Sequence, residues 1–110
     1  MLTATKSPRR YPRIGLPRGM TVEWQAGGSH EIARVATLGL GGLFIDVQNP
    51  RPLGDVIQLF FRVPDGEVRA RAIVRDSHPG KGMGVEFTYM ASDARARLNR
   101  LLSKLLPLGS

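Results

Sequence analysis

Residues 56–75, VIQLFFRVPDGEVRARAIVR, give the clearest local signal for a fold in this chain. Residues 56–63 form a nearly continuous apolar run, which is typical of a strand at a sheet centre or in a barrel wall. Pro64-Asp65-Gly66 then supplies a turn. After the turn, two sets of residues alternate at period two: Val68, Ala70, Ala72 and Val74 with Arg69, Arg71, Ile73 and Arg75. The stretch therefore predicts an antiparallel hairpin with one buried face.

Further strands are predicted on both sides of this hairpin. Alternating apolar residues indicate strands over 20–24, 31–36 and 43–47 before it and over 83–88 after it. Turn signals separate them: Gly27-Gly28, the loop NPRPLGD at 49–55, and HPGKG at 78–82. Six short strands at regular spacing predict a mainly β domain, a small antiparallel barrel over residues 19–91.

The hydrophobic period changes after residue 91 and predicts a C-terminal helix over 92–106. Ser92 is expected at the N-cap, and Asp93 in the first turn is favoured by the helix dipole. One helical face collects the leucines, which are Leu98, Leu101, Leu102, Leu105 and Leu106. This face is expected to pack on the barrel or on a second copy of the chain, so a homodimer through the helix stays open.

The net charge of +7 is concentrated at the N-terminus. Residues 1–22 hold five basic residues and no acid, interrupted by Pro8, Pro12 and Pro17. Proline fixes its own φ and disfavours helix at the residue before it, so residues 1–18 are expected to be an extended basic arm. The charge favours an anionic partner.

Length and composition exclude several classes of protein. At 110 residues the chain makes one domain. It has no cysteine, so disulfides, thiolate catalysis and Cys-based metal sites are excluded. No apolar run approaches the roughly 18 residues of a membrane span, and the N-terminal residues lack the apolar middle of a secretory signal. We therefore expect a cytoplasmic protein with no membrane span.

The sequence offers little for catalysis or for nucleic-acid binding. His30 and His78 are predicted in turns, with no nucleophile or acid placed beside either, and the acids suggest no metal site. Aromatic residues make up 6% of the chain, and Trp24, Phe61 and Phe87 are predicted to be core. A single-strand binder needs exposed aromatic platforms. We therefore expect no enzymatic activity, no cofactor, no metal and no nucleic-acid partner.

Two clusters carry candidate binding chemistry. The first is an RxxxR spacing, RRYPR at residues 9–13, whose guanidinium groups can grip a phosphate bidentately or pair with a guanine edge. The second is TLGLGG at residues 37–42, with three glycines in four residues. Glycine allows positive φ and close approach of a ligand or of another backbone. By itself the second cluster also fits a tight turn or bulge that leads into the next strand.

In this order the two clusters resemble the two motifs of PilZ domains, RxxxR and (D/N)xSxxG. The resemblance covers roughly residues 9–106. It continues through GGLFI, the PLGD turn, the long apolar strand, the VPDG turn, RARAIVR, GMGVEF and the final SDARARLNRLL.

The resemblance implies a fold and a ligand. PilZ domains are six-stranded antiparallel barrels with a C-terminal helix, and many bind the bacterial second messenger cyclic di-GMP. By position, the arginines of the arm contact phosphates and guanine edges, and the second motif holds a guanine. The implied ligand-binding residues are Arg9, Arg13 and the auxiliary Arg10, with Thr37, Gly39, Gly41 and Gly42.

The second motif departs from the family pattern. Thr37 stands where the family has Asp or Asn, and Gly39 stands where it has Ser. A threonine hydroxyl accepts without charge, and glycine offers no side chain. Losing one charged and one neutral hydrogen bond costs about 2–4 kcal/mol, or roughly 30- to 1000-fold in affinity.

Two functions follow from these observations. The first is a non-enzymatic cyclic di-GMP receptor that passes the messenger level to a protein partner. The second is a degenerate PilZ adaptor that has lost the ligand and acts through protein contacts, with a partner in the motility or secretion machinery. The TLGLGG motif separates them, because it decides whether a guanine is still held.

Overall fold

The computed structural model describes residues 13–15 and 20–105. Seven strands and one helix follow in chain order: β1 Arg13–Gly15, β2 Thr21–Ala26, β3 Ser29–Gly39, β4 Gly42–Asp46, β5 Val56–Val63, β6 Gly66–His78, β7 Gly82–Met90 and α1 Ser92–Leu105. All the strand pairs are antiparallel. Among the described residues, no helix is long and apolar enough to cross a membrane.

Six of the strands form a closed ring. The order β3-β2-β5-β6-β7-β4 is completed by pairing of β4 back onto β3, and β1 is added beside the C-terminal part of β3. A bulge between Val35 and Thr37 shifts the β3–β4 register, and two more irregularities lie in the β6–β7 pair. Closure leaves the six-stranded ring without a free edge. The predicted six-stranded barrel with a C-terminal helix is confirmed.

The core fills the inside of the ring. Alternate side chains of β2, β4, β5 and β6 and of the first part of β7 point inward, and β3 contributes Val35 and Leu38. Trp24 and Phe61 are among the largest side chains that are fully buried. The two-residue turn at Gly27-Gly28 joins Ala26 to its register partner Ser29, as its sequence predicts, and Gly27 has a φ of 56°. Phe87 is also buried, so all three aromatics assigned to the core lie there.

Helix α1 packs on the barrel. It contacts β5 and β6, and its buried residues are Ala94, Leu98 and Leu102. The carbonyl of Ala91 accepts from the N–H of Arg95, so Ala91 occupies the N-cap position and Ser92 is the first helical residue. The expected N-cap at Ser92 is therefore wrong by one residue. The predicted Leu106 lies outside the described residues.

Because Leu102 is 6% exposed and lies in the core cluster, Leu102→Ala should lower the free energy of unfolding by about 2–5 kcal/mol. Leu102→Asp should cost more, since a carboxylate there has no partner. Urea denaturation measures both. Leu101→Ala, at a half-buried position of the same helix, is the control and should cost less. Equal losses at positions 101 and 102 would contradict this packing.

The β5–β6 turn is tied to α1 by polar contacts. Arg100 forms an ion pair with Asp65, and Arg97 donates to the carbonyl oxygen of Glu67. The hydrogen bond from Arg100 holds the pKa of Asp65 below its ordinary value of 3.8, and the positive charges of Arg100, Lys104 and Arg97 act in the same direction. Asp65 therefore stabilises the docked helix in its charged form.

The lowered pKa predicts a pH dependence of stability. The unfolded chain binds a proton at Asp65 more readily than the folded chain, so stability from this contact is complete above about pH 3.8. It is lost as the pH falls through the lower, folded pKa. Asp65→Asn should have a lower melting temperature than wild type near pH 6, and the difference should shrink as the pH falls below about 3.8 and in high salt. Thermal melts across pH 2.5–6 test this. A difference that stays constant across the range would show that the pair contributes nothing.

Candidate functional site

The backbone register places the end of the RxxxR segment beside the second motif. In the β1–β3 pair, Arg13 lies opposite Gly39, Ile14 opposite Leu38 and Gly15 opposite Thr37. The two clusters are 24 residues apart in sequence at their nearest ends, Arg13 and Thr37, yet they meet on neighbouring strands. Arg9 and Arg10 lie outside the described residues.

The glycine-rich segment is mostly strand, not loop. Thr37 and Gly39 are the end of β3, Gly42 begins β4, and only Leu40 and Gly41 connect the strands. In the described residues, positive φ occurs at Gly27, Gly54, Gly66 and Gly80 and at none of the motif's glycines. The motif's glycines therefore do not use the positive φ that glycine allows. The strand predicted at 31–36 is shorter than the observed β3, which continues to Gly39.

Close packing explains one of the glycines. A Cβ atom at Gly42 would overlap the carbonyl oxygen of Val85 on β7. The neighbouring Gly41 carbonyl accepts from the N–H of Phe87 at 2.8 Å. Gly41 and Gly42 therefore join β4 to β7, whether or not a ligand binds.

Thr37 is half-buried in the middle of this region. It lies between Gly15 on one neighbouring strand and Phe44 on the other. Its hydroxyl is the only side-chain hydrogen-bonding group among motif residues 37–42, because the others are leucines and glycines. The barrel side of the motif thus offers a ligand one neutral hydroxyl and backbone groups.

The surface beside the motif holds residues that the sequence analysis missed. The Phe44 ring lies over Gly82 and Gly84, which leave no side chain in its way, and it contacts the His78 ring with 6.3 Å between centroids. Ion pairs flank this ring, with Arg34 Nε 3.3 Å from Asp46 and Arg75 Nε 2.7 Å from Glu86. Period-two alternation gives no signal for them, since it separates faces without saying which strands become neighbours.

Helix α1 also reaches the motif. The Arg95 guanidinium donates to the carbonyl oxygen of Leu40 at 3.4 Å. The connection between the two motif strands is therefore held from two directions, by β7 through Gly41 and by α1 through Leu40.

The prediction that His30 and His78 lie in turns is wrong. His30 lies in β3 and His78 is the last residue of β6. His30 also has an acid beside it, because its Nε2 is 2.5 Å from a carboxylate oxygen of Glu23 on β2. In residues 20–105, no group of three or more His, Cys, Asp or Glu side chains is placed to hold a metal ion.

Comparison with known proteins identifies the family. The family model described as PilZ domain matches residues 7–104, so this chain belongs to the PilZ domain family. No curated protein matches the sequence at a significant level.

Solved structures agree with that fold. The inhibitor of motility MotI/DgrA of Bacillus subtilis is 18% identical with a TM-score of 0.71, over 94% of this chain and 54% of that one. The K. pneumonia MrkH–c-di-GMP complex is 17% identical with a TM-score of 0.69, over 90% and 52%. The PilZ domain of Escherichia coli YcgR with c-di-GMP is 18% identical with a TM-score of 0.65, over 86% and 89%. The present chain spans about half the length of MotI and of MrkH.

The close packing at Gly42 predicts that a side chain there destabilises the fold. Gly42→Ala should lower the free energy of unfolding by about 1–3 kcal/mol, because the added methyl must displace the β7 backbone. Gly28→Ala is the matched control, since a Cβ at Gly28 meets nothing within 4 Å. Chemical denaturation of the two variants measures the difference. If Gly42→Ala unfolds like Gly28→Ala, the glycine is retained for something other than strand packing.

Proposed function

We propose that this chain is a bacterial, cytoplasmic and non-enzymatic receptor for cyclic di-GMP, which passes the messenger level to a protein partner. The observation that carries the proposal is the β1–β3 register, which sets Arg13, the last residue of the RxxxR segment, opposite Gly39 of the second motif. The PilZ family membership and the c-di-GMP complexes of the similar MrkH and YcgR structures support the choice of ligand.

The proposed binding residues divide into two groups by chemistry. Arg9 and Arg13, with Arg10 as an auxiliary, supply charged planar forks for phosphates and guanine edges. Thr37 supplies one neutral hydroxyl, and Gly39 supplies no side chain. Gly41 and Gly42 shape the surface through their packing on β7. The arginines therefore provide most of the affinity, and the barrel provides a platform.

A second function is favoured by the same motif. Because Gly41 and Gly42 are used by the fold itself, their presence does not require a nucleotide. Thr37 and Gly39 also lack the acid and hydroxyl that hold a guanine in the family pattern. An adaptor that has lost cyclic di-GMP and binds only a protein partner is the alternative. Motility machinery is one place for that partner, since the similar MotI is an inhibitor of motility.

Calorimetric titration with cyclic di-GMP separates the two functions. Arg9→Ala and Arg13→Ala should each abolish binding, and lysine at either position should restore little, since it keeps the charge without the fork. Binding should weaken steeply with salt. Lys104→Ala, on an exposed residue of α1, is the control and should bind as wild type does.

Restoring the family motif gives the second arm of this experiment. Thr37→Asp with Gly39→Ser should strengthen binding by about 2–4 kcal/mol, the sum of one charged and one neutral hydrogen bond. Gly39 does not have a positive φ, so a serine there causes no backbone strain. Binding only by the double variant would establish the degenerate adaptor. Absence of binding by wild type and double variant would refute cyclic di-GMP as the ligand of this site.

A further inference from the structure

An open cleft of about 380 Å³ lies on the outer surface of the barrel, away from the candidate nucleotide site. Its centre is β5, which stands opposite β4 in the six-stranded ring. Its outward side chains come from five strands and are Glu23, Gln25, His30, Gln58, Phe60, Arg69, Arg71 and Tyr89. We call this surface the β5 cleft. Its volume is within the range of pockets that bind small molecules or side chains.

Strand register arranges these side chains in two parallel rows. In one row, Glu23 lies opposite Phe60 and Phe60 lies opposite Arg69. In the next row, Gln58 is opposite Gln25 on one side and Arg71 on the other, and Arg71 is opposite Tyr89. Cross-strand neighbours are close enough to act on one bound group together.

The β6 side of the cleft is basic and aromatic. The Arg69 guanidinium lies 4.8 Å from the centroid of the Phe60 ring, a cation–π arrangement that holds the side chain in place. Arg71 stands beside Tyr89, which is 62% exposed. Among the described residues, no carboxylate pairs with either arginine, although five other arginines have such partners: Arg34, Arg51, Arg75, Arg97 and Arg100.

The remaining surface is polar with one apolar border. Gln25 and Gln58 face each other across β2 and β5, and both are exposed. Their amides can donate to and accept from an extended backbone. Ile32, which is 71% exposed, lies opposite Glu23 at the edge of the cleft. Tyrosine and arginine with exposed apolar neighbours are the composition of binding hot spots.

We propose that the β5 cleft docks a short acidic segment of a partner protein, with a carboxylate on Arg69 and Arg71 and a large apolar side chain against the exposed ring of Tyr89. The proposal rests on the proposed function, which includes a protein partner, and it adds the surface on which that partner docks. Charge complementarity selects the occupant, since Arg69 and Arg71 lie two residues apart on β6, both line the cleft, and a guanidinium can pair with a carboxylate bidentately.

Two other occupants fit the cleft less well. A single nucleic-acid strand needs a basic groove and free aromatic faces. Here the Phe60 ring already carries Arg69 and Trp24 is buried, so Tyr89 is the one exposed Phe, Tyr or Trp ring in the cleft. A second copy of this chain that used the same surface would bring its own Arg69 and Arg71, so like charges would meet.

Selection from a random peptide library displayed on phage, with the full chain as target, tests the proposal. Enriched peptides should combine Asp or Glu with a large apolar residue. Their synthetic forms should bind wild type, and Arg69→Ala or Arg71→Ala should each weaken binding by about ten-fold or more. Lys81→Ala, an exposed cation in the β6–β7 turn, is the matched control and should not change the affinity. Arg71→Glu should bind a peptide in which lysine replaces the acid.

Any of the following results would contradict the docking of an acidic segment in the β5 cleft. Enrichment of peptides without an acid, no enrichment, or affinities that ignore both arginine variants would reject the acidic segment. Binding of single-stranded oligothymidylate that Arg71→Ala abolishes would give the cleft to nucleic acid. A dimer that Arg71→Ala splits would give it to a second copy.

Binding at the nucleotide site and binding at the β5 cleft are measured independently. Arg71→Ala should titrate with cyclic di-GMP as wild type does, and Arg13→Ala should bind the peptide as wild type does. Failure of the cleft therefore stays distinguishable from failure of the proposed receptor function.

Discussion

Closure of the barrel through the β3–β4 pair is the constraint on which the rest of the structure depends. Without that pair, β3 and β4 would be the edges of an open sheet, and the inward side chains of six strands would not enclose a core. The pairing requires β4 to approach β7 closely on its other side, which the missing side chain of Gly42 permits. The same few residues therefore complete the fold and form the second motif. Packing alone accounts for Gly41 and Gly42, before any ligand is considered.

The sequence predicted the elements of this fold better than their ends. Period-two alternation found all six barrel strands, and the match at Val56–Val63 is complete because Pro64 and Gly66 mark the turn after it. It missed the last three residues of β3, since Thr37 and Gly39 resemble turn residues whose strand character comes only from pairing with β1 and β4. The N-cap was misplaced by one residue because Ala91 gives no capping signal.

The candidate sites were predictable to different degrees. The order of the RxxxR and TLGLGG clusters indicated one shared site, and the β1–β3 register brings the described end of the first to the second. The β5 cleft had no sequence signal. Phe60 and Arg69 are nine residues apart in a segment that predicts only a hairpin, and Tyr89 comes from a third strand. Their meeting depends on the exact register of β5, β6 and β7, which alternation does not encode.

The two surfaces lie on opposite sides of a closed barrel, and that geometry limits how one can influence the other. A packed ring of six strands has little freedom to change shape, since core side chains interdigitate at high density. Helix α1 touches both regions: Arg95 bonds to Leu40 in the second motif, while Arg97 and Arg100 bond to the β5–β6 turn. That turn begins the strand that carries Arg69 and Arg71. A chain of contacts does not by itself couple binding at one site to binding at the other. Coupling requires an element with two arrangements, whose equilibrium is shifted by ligands at both sites. Helix α1 buries Ala94, Leu98 and Leu102 along its length, so breaking its exposed hydrogen bonds alone would not release it from the core.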